Sequence, residues 1–282
     1  MHPFRFGVVA AQSASGDAWV DRARRLESMG YDSLLVPDGL RQVLEPFAAL
    51  AALASATRSL RLGTYVLATD LHNPVRIAKQ SATLDFLSGG RFELGLGAGR
   101  PDAAADADLL GLPFVSAGER VERLAGALSH IKSLLSNGQV GPGPLQRPPR
   151  IMVAGSGRKM LSIAGEQADI VALGLQPTAT EDQALERVGW LREAAGGRFE
   201  QLELNINLMA VGDRVPRYVE MRMGLTAGRL GEMGSVAAVV GSVDQMCQTL
   251  ERRRDRVGLS YIAVSDEMAE TLAPVVERLA GR

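Results

Sequence analysis

Residues 153–160, with the sequence VAGSGRKM, join a buried apolar run to a helical pattern through three small residues. Gly155, Ser156 and Gly157 would expose backbone N–H groups at the start of the helix, and Arg158 follows directly. Such N–H groups and the helix dipole favour a phosphate. The Gly-Lys-Ser/Thr ending of a Walker loop is absent, which argues against a nucleoside triphosphatase. Two interpretations stay open from these residues alone: a site for the phosphate of a larger cofactor, or an ordinary turn.

Other residues that could do chemistry follow further apolar runs. Asp38 comes directly after a predicted strand and is either a functional carboxylate or a loop cap. Arg100 follows the sequence GLGAG and would meet an anionic ligand or pair with Asp102. Gly97 and Gly99 would let a flat ligand lie against the backbone, or would let strands pack closely. Since no amphipathic helix follows at once, the dinucleotide-binding fingerprint is excluded.

Histidine and cysteine placement argues against several classes of site. His2, His72 and His130 are scattered, which gives little support to a metal site or a Ser-His-Asp triad. His72 precedes a predicted helix start, where a surface or capping role is favoured over catalysis. Cys247 is the single cysteine, which excludes a disulfide framework and a multi-cysteine zinc site.

Charge and hydropathy restrict the partners. With 31 Lys and Arg against 32 Asp and Glu, the chain has a net charge of -1 and offers no basic face for nucleic acid. The N-terminus MHPFRFGVVA lacks the features of a signal peptide, and no apolar run approaches the roughly 20 residues that span a bilayer. We therefore expect a cytoplasmic protein without a nucleic-acid or membrane partner.

The elements that position these residues alternate regularly. Short runs rich in Val, Ile and Leu alternate with amphipathic stretches, which indicates eight βα units. Strands are predicted over 4–10, 32–37, 59–68, 91–99, 150–155, 168–174, 202–212 and 260–265. Eight units in 282 residues predict one TIM (β/α)8 barrel domain over 1–282 rather than a doubly wound sheet. Residues 212–235 do not fit the alternation and are predicted to be an insertion after strand seven. Active sites of this fold lie at the C-terminal ends of the strands.

Several separated segments resemble one known family. HNPVRIAKQSATLDFLSGGRFELGLGAG, followed by GLPFVSAGERVERLAGAL, is similar to the signature of the bacterial luciferase-like flavin and deazaflavin oxidoreductases. RRLESMGYDSLLVPD and RIMVAGSGRKMLSIAGEQADIVALG match the same family. The likeness covers nearly the whole chain, with the motifs in the right order. It implies a TIM barrel that holds its cofactor at the C-terminal mouth.

The resemblance also implies a position for the cofactor. A bulge with a non-prolyl cis peptide is expected after strand three, at Tyr65–Val66 or the adjoining Leu67, and the cofactor ring would lean on it. A second wall would come from the end of strand four, and the phosphate would lie after strand five. The implied cofactor-binding residues are Asp38, Tyr65, Val66, Leu67, Gly97, Ala98, Gly99, Arg100, Gly155, Ser156, Gly157 and Arg158.

The compact chain resembles the deazaflavin-using branch of this family, which implies coenzyme F420, with FMN as the alternative. The implied activity is hydride transfer between F420 and a small organic substrate. An FMN-dependent monooxygenase is the alternative function. The family likeness further implies a homodimer.

The chain departs from the family after strand two. The family commonly has Asp-His there, and that histidine often takes part in proton transfer, whereas this chain has Asp38-Gly39. The candidates for the proton donor are then Asp38, Tyr65, His72 or the substrate itself. The same departure is compatible with an altered substrate, or with a non-catalytic family member that has lost redox chemistry.

Overall fold

Eight parallel strands close on themselves as a barrel. The structure is a computed structural model that describes residues 2–146 and 148–282, apart from the side chain of Asp102. The strands are β1 (Arg5–Val9), β2 (Ser33–Val36), β3 (Arg61–Thr64), β4 (Phe92–Gly97), β5 (Arg150–Gly155), β6 (Ile170–Leu173), β7 (Glu203–Leu208) and β8 (Leu259–Ser265). Consecutive strands pair in parallel, and β8 pairs with β1 to close the sheet. This is the TIM barrel that the sequence predicts.

Helices cover the outside of the barrel. They are α1 (Gly16–Ser28), α2 (Pro46–Ala54), α3 (Pro74–Leu87), α4 (Ala104–Leu109), α5 (Ala117–Ser136), α6 (Arg158–Gln167), α7 (Glu181–Ala195), α8 (Arg217–Met223), α9 (Ala227–Glu232), α10 (Val243–Val257) and α11 (Ala269–Leu279). The short helix α4 is an element that the alternation of strands and helices did not predict, and its alanines favour helix. Within the described residues, no helix is long and apolar enough to cross a membrane.

An ionic layer fills the N-terminal end of the barrel. The Arg5 guanidinium lies 2.7 Å from both Glu93 and Glu203, whose side chains are each 2% exposed. Arg61 contacts Glu93 at 2.7 Å, and Arg150 contacts Glu203 at 2.9 Å. Although burial acts to raise the pKa of Glu93, the arginines hold it below its ordinary value. Charged side chains therefore fill this end of the barrel. A ligand must approach from the opposite end.

The segment between β7 and α10 adds structure at the C-terminal end. Two short strands, Ala210–Val211 and Ala238–Val239, pair in parallel, and α8 and α9 lie between them in the chain. This is the insertion predicted after strand seven. Because it follows the C-terminal end of β7, it stands beside the mouth of the barrel.

Candidate active site

A cavity of about 200 Å³ opens at the C-terminal end of the barrel. It is lined by the ends of β5, β6 and β7 and by the segment after β3, through Tyr65, Val66, Ala154, Ala172, Leu173, Gly174, Leu175, Ile206, Asn207, Met209 and Ala237. Most of these side chains are apolar, and Tyr65 and Asn207 carry the polar groups. Apolar walls with a few polar groups are typical of small-molecule sites.

The chain after β3 is irregular at the wall of this cavity. The strand predicted over 59–68 ends at Thr64 and resumes only as the two-residue strand Leu67–Ala68, which pairs with β4. Between them, the Tyr65–Val66 peptide is cis, as the family resemblance implies. The break turns Tyr65 and Val66 into the cavity, whereas Leu67 is fully buried in the core between strands and helices. The family resemblance implies that Leu67 binds the cofactor, but the Leu67 side chain does not line the cavity.

Glycines in β4 make room for this break. A Cβ atom at Gly95 would lie 2.0 Å from the Thr64 carbonyl oxygen, and one at Gly97 would lie 2.8 Å from Val66 Cγ2. Real Cβ atoms do not approach so closely, so both positions need glycine for packing. Of the two interpretations left open for Gly97, the structure favours close packing, because Val66 covers its open side.

The loop after β4 holds three further predicted residues. Gly99 has φ +79°, a conformation that favours glycine, and the Ala98 carbonyl accepts a hydrogen bond of 2.9 Å from Arg120 Nε. Arg100 is exposed and close enough to Tyr218 of α8 for its charge to oppose the rise that burial causes in the Tyr218 pKa. Arg100 thus lies at the mouth as expected, whereas its expected partner Asp102 has a side chain outside the described part of the chain.

Tyr65 directs its hydroxyl group into the barrel. The hydroxyl donates a hydrogen bond of 2.7 Å to Asn205 Oδ1, and Asn205 Nδ2 donates one of 3.0 Å to the Tyr261 carbonyl oxygen. Burial raises the pKa of Tyr65 above its ordinary value, and the nearby Tyr218 raises it further. A hydroxyl with a raised pKa and a fixed acceptor is poorly suited to donate a proton at neutral pH. Its geometry fits a wall of the cavity better than the catalytic role expected for Tyr65.

Asp38 and His72 form a pair although they follow different strands. Asp38 Oδ2 lies 2.7 Å from His72 Nε2 and accepts a hydrogen bond of 2.9 Å from the Ala68 N–H. The Asp38 side chain is 8% exposed and that of His72 is 30% exposed. Asn73, not His72, caps α3. A histidine therefore stands beside the strand-two carboxylate after all, although it comes from the end of strand three rather than from position 39.

The phosphate site predicted after β5 has the expected backbone. Gly157 is the N-cap of α6, and no side chain among the described residues caps this helix. A Cβ atom at Gly157 would meet nothing within 4 Å, whereas one at Gly155 would lie 2.9 Å from Met160 Cβ. Ser156 is half-buried between them, and Arg158 lies over Trp190 at 5.0 Å. The α6 N-terminus thus has open space at Gly157 and follows, three residues along the chain, Ala154, which lines the cavity.

The residues present fit a flavin or deazaflavin. Asn207 Oδ1 is buried at the cavity and has no hydrogen-bond partner among the described residues. A buried acceptor of this kind requires a donor. Both cofactors carry a ring N–H that would supply one, and both have a flat aromatic ring system whose faces suit the apolar walls. The uncapped N-terminus of α6 would hold the phosphate.

The two asparagines of β7 were not among the predicted site residues. Asn205 is completely buried beneath Tyr65, and Asn207 lines the cavity. A signal was available, because LELNINLMAVG places two amides at alternate positions of an otherwise apolar strand. Buried amides need partners, and their period of two assigns both to the barrel interior.

Known proteins resemble this chain in sequence and in fold. The F420-dependent glucose-6-phosphate dehydrogenase of Kribbella flavida is 29% identical over 220 residues, which are 70% of this chain and 65% of that protein. The coenzyme F420-dependent tetrahydromethanopterin reductase of Methanopyrus kandleri has a similar fold, with a TM-score of 0.73, 17% identity and 98% of each chain covered. The oxygenating constituent of 3,6-diketocamphane monooxygenase from Pseudomonas putida, solved with FMN, has a TM-score of 0.72 and 16% identity, over 99% of this chain and 98% of that one.

The family assignment rests on the sequence itself. The family described as luciferase-like monooxygenase matches residues 1–215, which is more than half of the 282 residues. The two structural neighbours show the same barrel with either F420 or FMN chemistry in their names. The chain therefore belongs to the luciferase-like monooxygenase family and is an enzyme of this oxidoreductase superfamily.

Proposed function

We propose that this protein is an F420-dependent oxidoreductase that transfers a hydride between the deazaflavin and a small organic substrate. The observation that carries the proposal is the apolar cavity with Asn207 Oδ1 on its wall, together with the N-terminus of α6 after the same strand as Ala154; within the described part of the chain neither the amide oxygen nor the helix end has a side-chain partner. The similarity to an F420-dependent dehydrogenase over 220 residues supports the choice of cofactor. When bound, the deazaflavin supplies or accepts the hydride.

In this proposal the chain binds and orients the cofactor. Tyr65 and Val66 would lie against the ring, and Asn207 Oδ1 would accept a hydrogen bond from a ring N–H group. Ser156, Gly157 and the first backbone N–H groups of α6 hold the phosphate, where the helix dipole favours negative charge. The apolar walls exclude water from the reacting atoms.

The Asp38–His72 pair supplies or removes the proton that accompanies the hydride. The two side chains share a contact of 2.7 Å, so a proton can pass between His72 Nε2 and Asp38 Oδ2. Asp38 follows β2 at the mouth of the barrel, where the fold places its chemistry. In this chain Gly39 stands where the family commonly has the histidine of an Asp-His dipeptide. His72 takes the place of that histidine beside Asp38.

A parallel titration with F420 and FMN tests the proposal. Trp190 lies next to Arg158 at the start of α6, so its fluorescence reports on the phosphate position. We expect F420 to quench this fluorescence at lower concentration than FMN. Binding of FMN alone, with oxygen consumption when reduced FMN and substrate are present, would instead support the monooxygenase alternative. Binding of neither cofactor would overturn both functions.

A glycine substitution locates the phosphate. Gly157→Glu puts a carboxylate at the α6 N-terminus in open space, so the fold should tolerate it. We expect F420 affinity to fall at least tenfold, or about 1.4 kcal/mol, because two anions would then compete for one site. Gly126→Glu on α5 is the matched control, since its Cβ also meets nothing within 4 Å. Equal affinity in both variants would show that the phosphate is held elsewhere.

The assembly is a separate proposal. We propose a homodimer of single-domain chains from the family resemblance, with a small-molecule substrate and without nucleic acid or membrane as partners. Light scattering after gel filtration, at concentrations above and below those used for activity, measures the mass of the assembly. A mass of 30.0 kDa at all concentrations would contradict the dimer.

A further inference from the structure

A second cavity, also of about 200 Å³, lies beside the Asp38–His72 pair. It is lined by the turn after β3, the start of α3 and the facing side of α5, through Thr69, Asp70, His72, Pro74, Arg123 and Ala127. We name it the lateral cavity. None of these residues lines the main cavity at the mouth. His72 lines the lateral cavity, and its Nε2 contacts Asp38, the carboxylate that follows β2.

The lateral cavity has the polarity and the size to hold water. Thr69 is 4% exposed, and its Oγ1 is buried without a hydrogen-bond partner among the described residues. Asp70 and Arg123 pair at 3.1 Å on the same wall. A volume of about 200 Å³ exceeds several times the roughly 30 Å³ that one water takes in the liquid. Water there would satisfy Thr69 Oγ1 and would reach His72.

We propose that the lateral cavity is the route by which protons from solvent reach Asp38 through His72. The inference rests on the proposed function for its last step, in which Asp38 gives a proton to the substrate atom bonded to the one that accepts the hydride, because that neighbouring atom gains the electron pair of the reduced double bond. In the preceding steps, cavity water gives a proton to His72 Nδ1, and His72 Nε2 passes its own to Asp38 Oδ2. One proton moves at each step, and no electrons move. His72 is thus a positioning and relay residue.

A lateral route would let protons from solvent reach Asp38 while the mouth of the barrel is covered. A cofactor and a substrate at the mouth would cover the C-terminal end of the barrel, whereas the lateral cavity approaches from the side between α3 and α5. The charged groups around it are Asp70, Arg123 and Glu119, which lies 3.1 Å from Arg123. Changing any of them would alter the local field as well as the volume. Ala127 is uncharged and 9% exposed, and it is therefore the position at which to close the route.

Exchange of the His72 ring N–H with water measures the route directly. In a His2→Gln, His130→Gln background, His72 is the single histidine, and 15N-histidine labelling isolates its ring signals. Ala127→Met fills the lateral cavity, and we expect it to slow this exchange by about tenfold or more. Gly126→Met, at a neighbouring position with open space, is the matched control and should leave exchange unchanged. Equal exchange in both variants would overturn the proposal.

A second variant keeps the test valid if Ala127→Met folds poorly. Thr69→Val has nearly the same shape and removes the hydroxyl alone. If cavity water bonds Thr69 Oγ1, the substitution leaves that water one partner short, and the free energy of unfolding should fall. If the cavity is dry, the hydroxyl is unsatisfied and its removal should stabilise the fold. A rise in stability would therefore contradict a water-filled route.

The two proposals can fail separately, because the exchange measurement uses the chain without cofactor. Slowed exchange in Ala127→Met together with absent F420 binding would keep the route and overturn the proposed function. If F420 turnover occurs, Ala127→Met should lower kcat with KM unchanged and shift the pH profile. If Ala127→Met instead turns over with the same kcat and pH profile as the Gly126→Met control, the lateral route is overturned and the proposed function stays in place.

Discussion

Asp38 shows how one carboxylate can organise two neighbouring segments. Its Oδ2 accepts from the Ala68 N–H and contacts His72 Nε2, so the chain after β3 and the imidazole are fixed by the same atom. Hydrogen bonds to a charged acceptor are about twice as strong as neutral ones. Tyr65 is different, because its hydroxyl is engaged with Asn205 and burial raises its pKa. Of the three residues proposed to handle a proton, the structure therefore favours Asp38 and His72.

Asp38→Asn should separate the structural role of this residue from its chemical role. The amide oxygen can still accept from Ala68, so the fold should persist, but the side chain can no longer exchange a proton. We expect kcat with F420 to fall by roughly 10²–10⁴-fold, with KM little changed. Steady-state kinetics measures both, with Asp21→Asn, an exposed change on α1, as the control. An unchanged kcat would assign the proton to another group.

At the scale of elements, periodicity and turn residues predicted most of the barrel. The eight apolar runs correspond to the eight strands, and Asn73 and Pro74 are the N-cap and the first residue of α3, as their residue types favour. The residues YVLATDLHNP favour an irregular backbone after strand three, but the cis peptide at Tyr65–Val66 was expected only from the family resemblance. Thr64 and Val66 contact the glycines of β4 there, which is a tertiary contact. Such contacts between separate segments cannot be predicted from the local sequence.

In the candidate site, too, positions within one segment could be predicted, whereas contacts between separate segments could not. The phosphate position after β5 follows from one continuous segment and could be predicted from it. The Asp38–His72 pair joins positions 34 residues apart, and the distance between their side chains depends on the alignment of β2 and β3. Spacing alone therefore favoured a surface or capping role for His72, whereas its ring contacts the Asp38 carboxylate.

Glu27 links two elements in a way that can be tested by pH. Its Oε1 accepts from the backbone N–H groups of Arg58, Ser59 and Leu60, and so ties α1 to the start of β3. Although partial burial acts to raise the pKa of Glu27, these hydrogen bonds lower it to about 2. The folded state therefore binds this proton less readily than the unfolded state, whose pKa is about 4.3. Stability from Glu27 is present above that value and is lost as pH falls toward 2.

Glu27→Gln should consequently destabilise the protein by about 1–2 kcal/mol at pH 7, since an amide accepts more weakly than a carboxylate. The difference from wild type should shrink steadily between about pH 4.5 and pH 2. Urea unfolding across this range gives both curves. A difference that stays constant with pH would show that the Glu27 charge is not what binds the three N–H groups.

At the scale of the whole molecule, the two ends of the barrel have opposite character. The N-terminal end is filled by Arg5, Glu93, Glu203 and their partners, while the C-terminal end is an apolar cavity with few polar atoms. A buried ionic layer contributes little net stability when complete, but it is costly to leave incomplete. The charged side chains that fill the N-terminal end must therefore all be present. In the proposed function, a substrate is bound at the C-terminal end instead.

Arg5→Met should therefore reduce stability without affecting the site. Removing the guanidinium leaves two carboxylates, each 2% exposed, with less compensation, and we expect a loss of about 3–5 kcal/mol at pH 7. In wild type, arginine lowers the pKa of Glu93, so this stabilisation exists above the ordinary carboxyl pKa and disappears below it. The deficit of the variant should accordingly decrease as acid neutralises the glutamates. Arg24→Met is the control, because Arg24 is 60% exposed and lies 3.7 Å from Asp21. Urea unfolding measures the loss, and F420 titration of the folded variant should give the wild-type affinity. A change in that affinity would show that the two ends of the barrel are coupled.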